Sequence, residues 1–431
     1  EDFDDWEKMG AKGWDYQSVL PSFRKLENFQ GREDQYHGNL GEMIVSNLNN
    51  NNPSCDAWIQ AANEYGLPHN SDFNGETTYG VGSYQFSSSG RMRYSSSTAF
   101  LKPAIKRGNV TLKINALVSK VLFSGKKAIG VEWIENNENK KAYSNKEIIL
   151  SSGSLQSPQI LQLSGIGPAE LLKKLNIPIV FDSPEVGKNL QDHYQVRGIV
   201  ELNDNKGSVN NQSRNPLKIA EWGLRWLLFG SGPLTCGAGQ VGGAACSKYS
   251  QNGRPDLQFN VMPLSVDKPG EPLHKYPGFT ASVWQCHPKS RGSLNIKSKD
   301  PREQAEIRPE YLSEKLDKDV IVEGIKMIRD IFNQPSFKKL WDKEVLPGKE
   351  IKTDKEILDW ARNNGGTVFH AVGTCRMGDD NKSVVNEKLQ VRGVENLRVI
   401  DASVMPQVTS ANTNAPSLMI GEKGASLILD S

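Results

Sequence analysis

The stretch KEIILSSGSLQSPQILQLSGIGP, Lys146 to Pro168, carries a short apolar β run into a helix through three small residues, Ser152, Gly153 and Ser154. Small residues at a strand-to-helix turn let backbone approach a bound group closely. They also leave helix-start N–H groups free to face a polar or anionic group. A tight turn that only packs fits the same residues. From Ser157 to Leu172 the apolar positions follow a helical period, interrupted at Gly165-Ile166-Gly167-Pro168, which ends one helix and opens the next.

Working outward, TLKINALVSKVLF, AIGVEWIE and KEIILSS are β-rich runs separated by Gly, Asn and Lys turns, and together they predict a meander. Residues 1–75 are rich in Asn, Gly and aromatic residues and read as covering loops with one helix, Pro53 to Tyr65. Beyond residue 191, LQFNVMPL, FTASVWQCHP and GSLNIKS are strand candidates for an antiparallel sheet. Amphipathic helices are expected over Asp317 to Phe332 and Asp354 to Arg362, and an apolar helix over Ser417 to Leu429. Sheet and helix segments are interspersed, so the fold class is mixed α/β.

At 431 residues the chain exceeds the roughly 250–300 at which single cores stop growing, so about two or three domains are expected. A net charge of +2, with both signs interleaved, predicts no nucleic-acid partner. Five cysteines, an odd number without a CxxC pair, argue against a disulfide framework and a zinc site. No run of about 18 apolar residues occurs. A soluble chain is expected, cytoplasmic or peripheral to a membrane. The opening Glu1-Asp2-Phe3-Asp4 reads as starting mid-element, with no targeting pattern.

Gly237-Ala238-Gly239-Gln240-Val241-Gly242 satisfies GxGxxG, but Gly230, Gly232 and Pro233 break any strand before it, and the nearest acid, Asp256, comes too early. A flexible loop over a site is the better reading. Near the carboxyl end, NLRVIDASVMPQVTSANTNAP, Asn396 to Pro416, has a β run ending in Asp401-Ala402-Ser403, followed by a loop rich in Asn. A strand ending in Asp beside a helix start suits phosphate or ribityl hydroxyls.

These stretches, with DFDDWEKMGAKGWDYQSVLPSFRKLE, EVGKNLQDH, HAVGTCRMG and DASVMPQVTSANTNAPSLMIGEK in the same order, resemble the glucose–methanol–choline (GMC) family of FAD-dependent alcohol oxidoreductases, in its choline-dehydrogenase-like branch. The resemblance implies an α/β FAD-binding domain of GMC type, over residues 76–190 and 366–431, and a substrate domain with an antiparallel sheet over 191–365. It also implies that the family's amino-terminal βαβ unit, with its GxGxxG, is missing from these residues. Losing that unit exposes sheet edges and an apolar face.

The activity implied is oxidation of a small-molecule alcohol, a base taking the hydroxyl proton while hydride passes to flavin N5. Oxygen, a quinone or another carrier serves as electron acceptor. His370 matches the family's active-site histidine, and Asn412 stands in the place of its partner. Val118, Asp401, Ala402 and Asn414 match cofactor contacts. The chemistry suits these types: an imidazole accepts a proton near neutral pH, and a neutral amide hydrogen-bonds the substrate oxygen without competing for it. A flavin-free binding protein is the alternative.

Among the other histidines, His193 reads as a packing or domain-joining residue, and His37, His69, His274 and His287 have no second feature. Cys375 suits a packed turn. Trp284 and Glu221 are candidates, by residue type, to face a cationic substrate.

Overall fold

The computed structural model describes residues 1–268 and 270–430, and two hydrophobic cores organise them. The first lies on a six-stranded antiparallel sheet. Its order is Val241–Ala245, Leu257–Met262, Gly278–Gln285, Tyr194–Leu202 and Trp341–Leu346, with Gly366–Thr367 also paired to Tyr194–Leu202. Alternation along the strands sorts the side chains by face. Leu257, Phe259, Val261, Phe279, Ala281 and Val283 enter the core, which helices Lys315–Phe332 and Pro53–Tyr65 help to cover. The helix comes so close at Gly324 that a Cβ there would meet Val283 Cγ2 at 2.9 Å. Gln258, Asn260, Ser282 and Trp284 take the opposite face. The register sets Gln258 against Trp284 and Asn260 against Ser282.

The second core surrounds a parallel strand pair, Ile148–Leu150 with Leu397–Val399, packed by helices Gly153–Leu163 and Asn414–Leu429. Residues 1–75, expected as covering loops, contribute three helices: Asp2–Lys8, Tyr16–Leu26 and Pro53–Tyr65. Trp6, Trp14 and Trp58 are buried. Trp6 and Trp14 donate from Nε1 to the carbonyls of Gln407 and Glu387, both at 2.9 Å, which fastens the first helices to the carboxyl-terminal third.

The meander differs from expectation in its third strand. Leu117–Ser124 and Lys127–Glu135 pair as expected, but Glu138–Tyr143 closes the sheet. Asn136 and Asn137, both at positive φ, make the turn between them, a conformation Asn tolerates better than most residues. KEIILSS instead supplies the parallel partner of Leu397–Val399. Its Ile148 and Leu150 are buried, whereas Glu138–Tyr143 is nearly all exposed and so carries no apolar signature. Residues 111–116 form no strand, and Leu112 and Ile114 are exposed. GSLNIKS contributes Ser293–Asn295 to a separate two-stranded ribbon with Glu306–Arg308 rather than to the large sheet. The GAGQVG stretch runs into strand Val241–Ala245 with no helix after it.

One buried charge cluster ties the amino-terminal third together. His37 lies between Glu27 and Asp72, its Nδ1 and Nε2 each 2.9 Å from a carboxylate oxygen. The bonds to Asp72 and then Glu27 raise its pKa from 6.5 to about 10, against the opposing effect of burial. A raised folded pKa contributes stability that is fully present below the unfolded value and lost as pH climbs through the folded one. Replacing His37 with Ala is expected to cost about 1–3 kcal/mol at pH 6, because two carboxylates lose their donor. In denaturant melts the difference from the parent chain should shrink as pH rises above 6.5 and be largely gone at about 10.

Candidate active site

His370 and Asn412 meet where the two cores adjoin. His370 follows the short strand Gly366–Thr367, and Asn412 lies in the loop entering helix Asn414–Leu429. Asn412 Nδ2 is 3.0 Å from His370 Nε2. His193, immediately before strand Tyr194–Leu202, places its Nδ1 2.9 Å from His370 Nδ1 and its Nε2 2.8 Å from the Cys286 carbonyl oxygen. His193, read from the sequence as a packing or domain-joining residue, is fully buried, and it also bonds the His370 ring.

This geometry fixes every proton in the chain. A carbonyl only accepts, so His193 Nε2 donates to Cys286 and the Nδ1 of neutral His193 accepts. His370 must then donate from Nδ1, which leaves a lone pair on its Nε2, where the Asn412 amide donates. Burial lowers the pKa of His370 to about 4. It lowers that of His193 to about 3, with repulsion from His370 adding to it. Both imidazoles are uncharged at neutral pH, as the tautomer argument requires.

The backbone is held as firmly as the ring. Asp192 accepts from the His370 N–H at 2.9 Å, from Tyr311 Oη and from Thr367 Oγ1, and Thr367 Oγ1 in turn accepts from the Phe369 N–H at 2.8 Å. Phe369 is at φ 65°, a left-handed conformation that costs a non-glycine residue about 1–2 kcal/mol and that these bonds hold in place. In NLQDH, Asp192 thus fixes the main chain of His370 and His193 fixes its side chain.

Asn412 has its own support. Gln258 Nε2 donates to Asn412 Oδ1 at 3.4 Å. Two residues earlier, Ser410 donates from N to Asp2 Oδ2 at 2.8 Å, and Asp2 also bonds His287 and Arg254. Burial pushes the Asp2 carboxyl up, but hydrogen bonds from His287 and Ser410 outweigh it and hold it well below the carboxylate range. Trp284 reaches the site, its ring 6.1 Å from that of His370 and 6.1 Å from that of His193. Glu221 does not: it is exposed on another helix and paired with Lys218. On the sheet face bearing Trp284, Gln258 Oε1, Asn260 Oδ1, Ser282 Oγ and Trp284 Nε1 are buried without a partner. A polar ligand would complete them.

The other expected residues gather at the ends of the parallel pair. Asp401 accepts from Gly153 N at 2.9 Å, Ser157 Oγ at 2.5 Å and Ser403 N at 2.8 Å. The anion facing the start of helix Gly153–Leu163 is therefore the protein's own carboxylate. Ala402 packs half-buried beside it, and Val118 lies on the first meander strand, paired with Trp133. Asn414 is exposed at the first turn of its helix, where Thr413 makes no side-chain cap. Ser154 Oγ and Ser403 Oγ, beside Asp401, are buried and unpartnered. The unpartnered Ser154 and Ser403 hydroxyls and the uncapped start of helix Asn414–Leu429 fit a polar cofactor. Cys375 is buried, and burial pushes its thiol well up, so it is no nucleophile.

A buried imidazole paired with an amide beside unpartnered polar groups suits an enzyme acting on a small polar substrate. The GMC oxidoreductase family pattern matches this chain in two parts, over residues 1–195 and 288–421. The chain is 39% identical over 440 residues to alcohol dehydrogenase [acceptor] of Pseudomonas putida, covering all of itself and 78% of that protein. It is 37% identical to mitochondrial choline dehydrogenase of Mus musculus, covering 99% of itself and 72% of that protein. Among solved structures it superposes on a FAD-dependent oxidoreductase from Chaetomium thermophilum with a TM-score of 0.90 and 27% identity, covering 100% and 83% of the two chains. It also superposes on formate oxidase of Aspergillus oryzae, with a TM-score of 0.91 and 24% identity, covering 100% and 80%. The chain belongs to the GMC oxidoreductase family, and its cofactor is FAD.

The tautomer chain is open to measurement. Imidazole 15N shifts should show a protonated Nδ1 on His370 and a protonated Nε2 on His193. His193→Gln, whose amide can both donate to Cys286 and accept from His370, should keep the His370 tautomer. His193→Leu should lose it and cost about 10–100-fold in turnover, the range typical of an orienting partner.

Proposed function

We propose that this protein oxidises an alcohol to an aldehyde or ketone, with His370 accepting the hydroxyl proton at Nε2. The observation that carries the reading is the chain Cys286, His193, His370, Asn412, in which the imidazole lone pair that faces Asn412 is on His370 Nε2. FAD, when bound, supplies the hydride acceptor, at N5 of its ring. Asp401, Ala402, Asn414 and the main chain at Val118 would hold it. An alcohol whose oxygen replaces Asn412 Nδ2 as the partner of His370 Nε2 gives up its proton there, and the freed amide donates to the same oxygen. Pulling that proton raises the electron density on the carbon that must lose hydride. Trp284, Gln258 and Asn260 face the substrate and set which alcohol fits. The printed names of the relatives, an alcohol dehydrogenase and a choline dehydrogenase, support the substrate class.

Because burial holds His370 unprotonated down to about pH 4, the base form persists through the acidic range. Protonation removes the base, so the rate should be flat near neutrality and fall only as pH drops towards 4. His370→Ala should retain bound flavin, while alcohol-driven bleaching of its visible band in the absence of oxygen slows by about 10²–10⁴-fold. An unchanged bleaching rate would remove His370 from the proton transfer.

A further inference from the structure

Helix Pro216–Phe229 buries only Trp222 and carries the largest group of exposed apolar side chains in the described residues. At about 100° per residue, Leu217, Ala220, Leu224, Leu227 and Leu228 fall within one arc of about 100°. All five are exposed, Leu217 by 80% and Leu227 and Leu228 by 58% each. The opposite side holds the protein: Trp222 is buried, and Trp226 donates from Nε1 to the Arg91 carbonyl at 2.8 Å. Phe229 and Met92 extend the apolar surface at the helix end, both exposed.

The border of this stripe is cationic. Lys218 and Arg225 follow one flank, and Arg91 and Arg93 are exposed at the carboxyl end, where Arg91 Nη1 donates to the Leu227 carbonyl at 2.7 Å. Lys206 and Arg225 also line the polar cleft beside the helix, with Asn50, Asn51 and Asn52. Glu221 is the sole acid in the helix, already paired with Lys218 at 2.8 Å, and no acid occurs from residue 81 to 100.

We propose that this helix lies on the surface of an anionic phospholipid bilayer, its leucine stripe among the acyl chains and its arginines and lysines on the phosphates. No helix in the described residues is long and apolar enough to cross a membrane, and an interfacial helix needs only one apolar face with cations at its edge. The charge pattern decides against a second copy of the chain as occupant. A two-fold contact through this stripe would bring the same cations against each other. From the helix end the chain runs through residues 230–240 into strand Val241–Ala245, which pairs with the strand carrying Gln258. The proposal does not depend on the role of His370.

The test is flotation of the FAD-loaded chain with phosphatidylcholine vesicles, with and without phosphatidylglycerol. Binding should require phosphatidylglycerol and weaken as salt screens it. Leu224→Glu with Leu227→Glu should lower partitioning more than tenfold while alcohol-driven flavin bleaching and the melting temperature stay at parental values. Arg93→Glu and Arg225→Glu should each lower it at least about fivefold. The proposal falls if the parent chain stays unbound, or if the leucine variants float as the parent does. It also falls if the parent is a dimer by light scattering that the leucine variants split without any vesicle binding, since the stripe is then a subunit contact.

Discussion

The carboxylate of Asp401 is the point on which both halves of the second core close. Strands Ile148–Leu150 and Leu397–Val399 run parallel and end side by side, and each chain must leave the sheet there with unpaired backbone donors. Asp401 takes one from each: Gly153 N from the first chain and Ser403 N from its own. The Ser157 hydroxyl completes its set and secures the first turn of helix Gly153–Leu163. Charge-assisted bonds of this kind contribute about 1.5–3 kcal/mol each. From this junction one chain passes into a helix of the second core, and the other into the loop that delivers Asn412.

At the candidate site both imidazoles are uncharged at neutral pH. Asp192 and Asp2, the acids nearest to His370 and Asn412, spend their oxygens on backbone N–H groups, hydroxyls, His287 and Arg254. Neither carboxylate bonds a ring nitrogen of His370. A carboxylate on Nδ1 would raise the imidazole pKa and favour the protonated ring. His193, a neutral acceptor in the same place, orients the ring without that effect, and burial keeps it unprotonated.

Much of this was legible in the sequence. The strand-to-helix stretch at Ser152 to Leu163, the long helices and the antiparallel strands over Leu257 to Gln285 all appear close to where periodicity puts them, because each has a buried face that imposes a pattern. Elements without such a face escaped: strand Glu138–Tyr143 is nearly all exposed, and its turn is two asparagines. Of the candidate site, His370 and Asn412 were singled out by the resemblance of their motifs, and the fold brings them within 3.0 Å. His193, Asp2 and Gln258 were not, since each acts across a contact with a residue 154 to 408 positions away. The signal for His193 was present in NLQDH, a buried acid and imidazole side by side, but nothing local says which distant ring they hold.

The two-faced sheet has a further consequence. On strand Leu257–Met262, neighbours in sequence answer to different constraints, since Leu257, Phe259 and Val261 pack in the core while Gln258 and Asn260 lie on the opposite face. A substitution at an even position leaves the apolar layer intact, and one at an odd position leaves the polar face intact. If the polar face meets the substrate as proposed, such a strand can change what it recognises without renegotiating how it folds, so selectivity and stability become separable variables along one run of six residues.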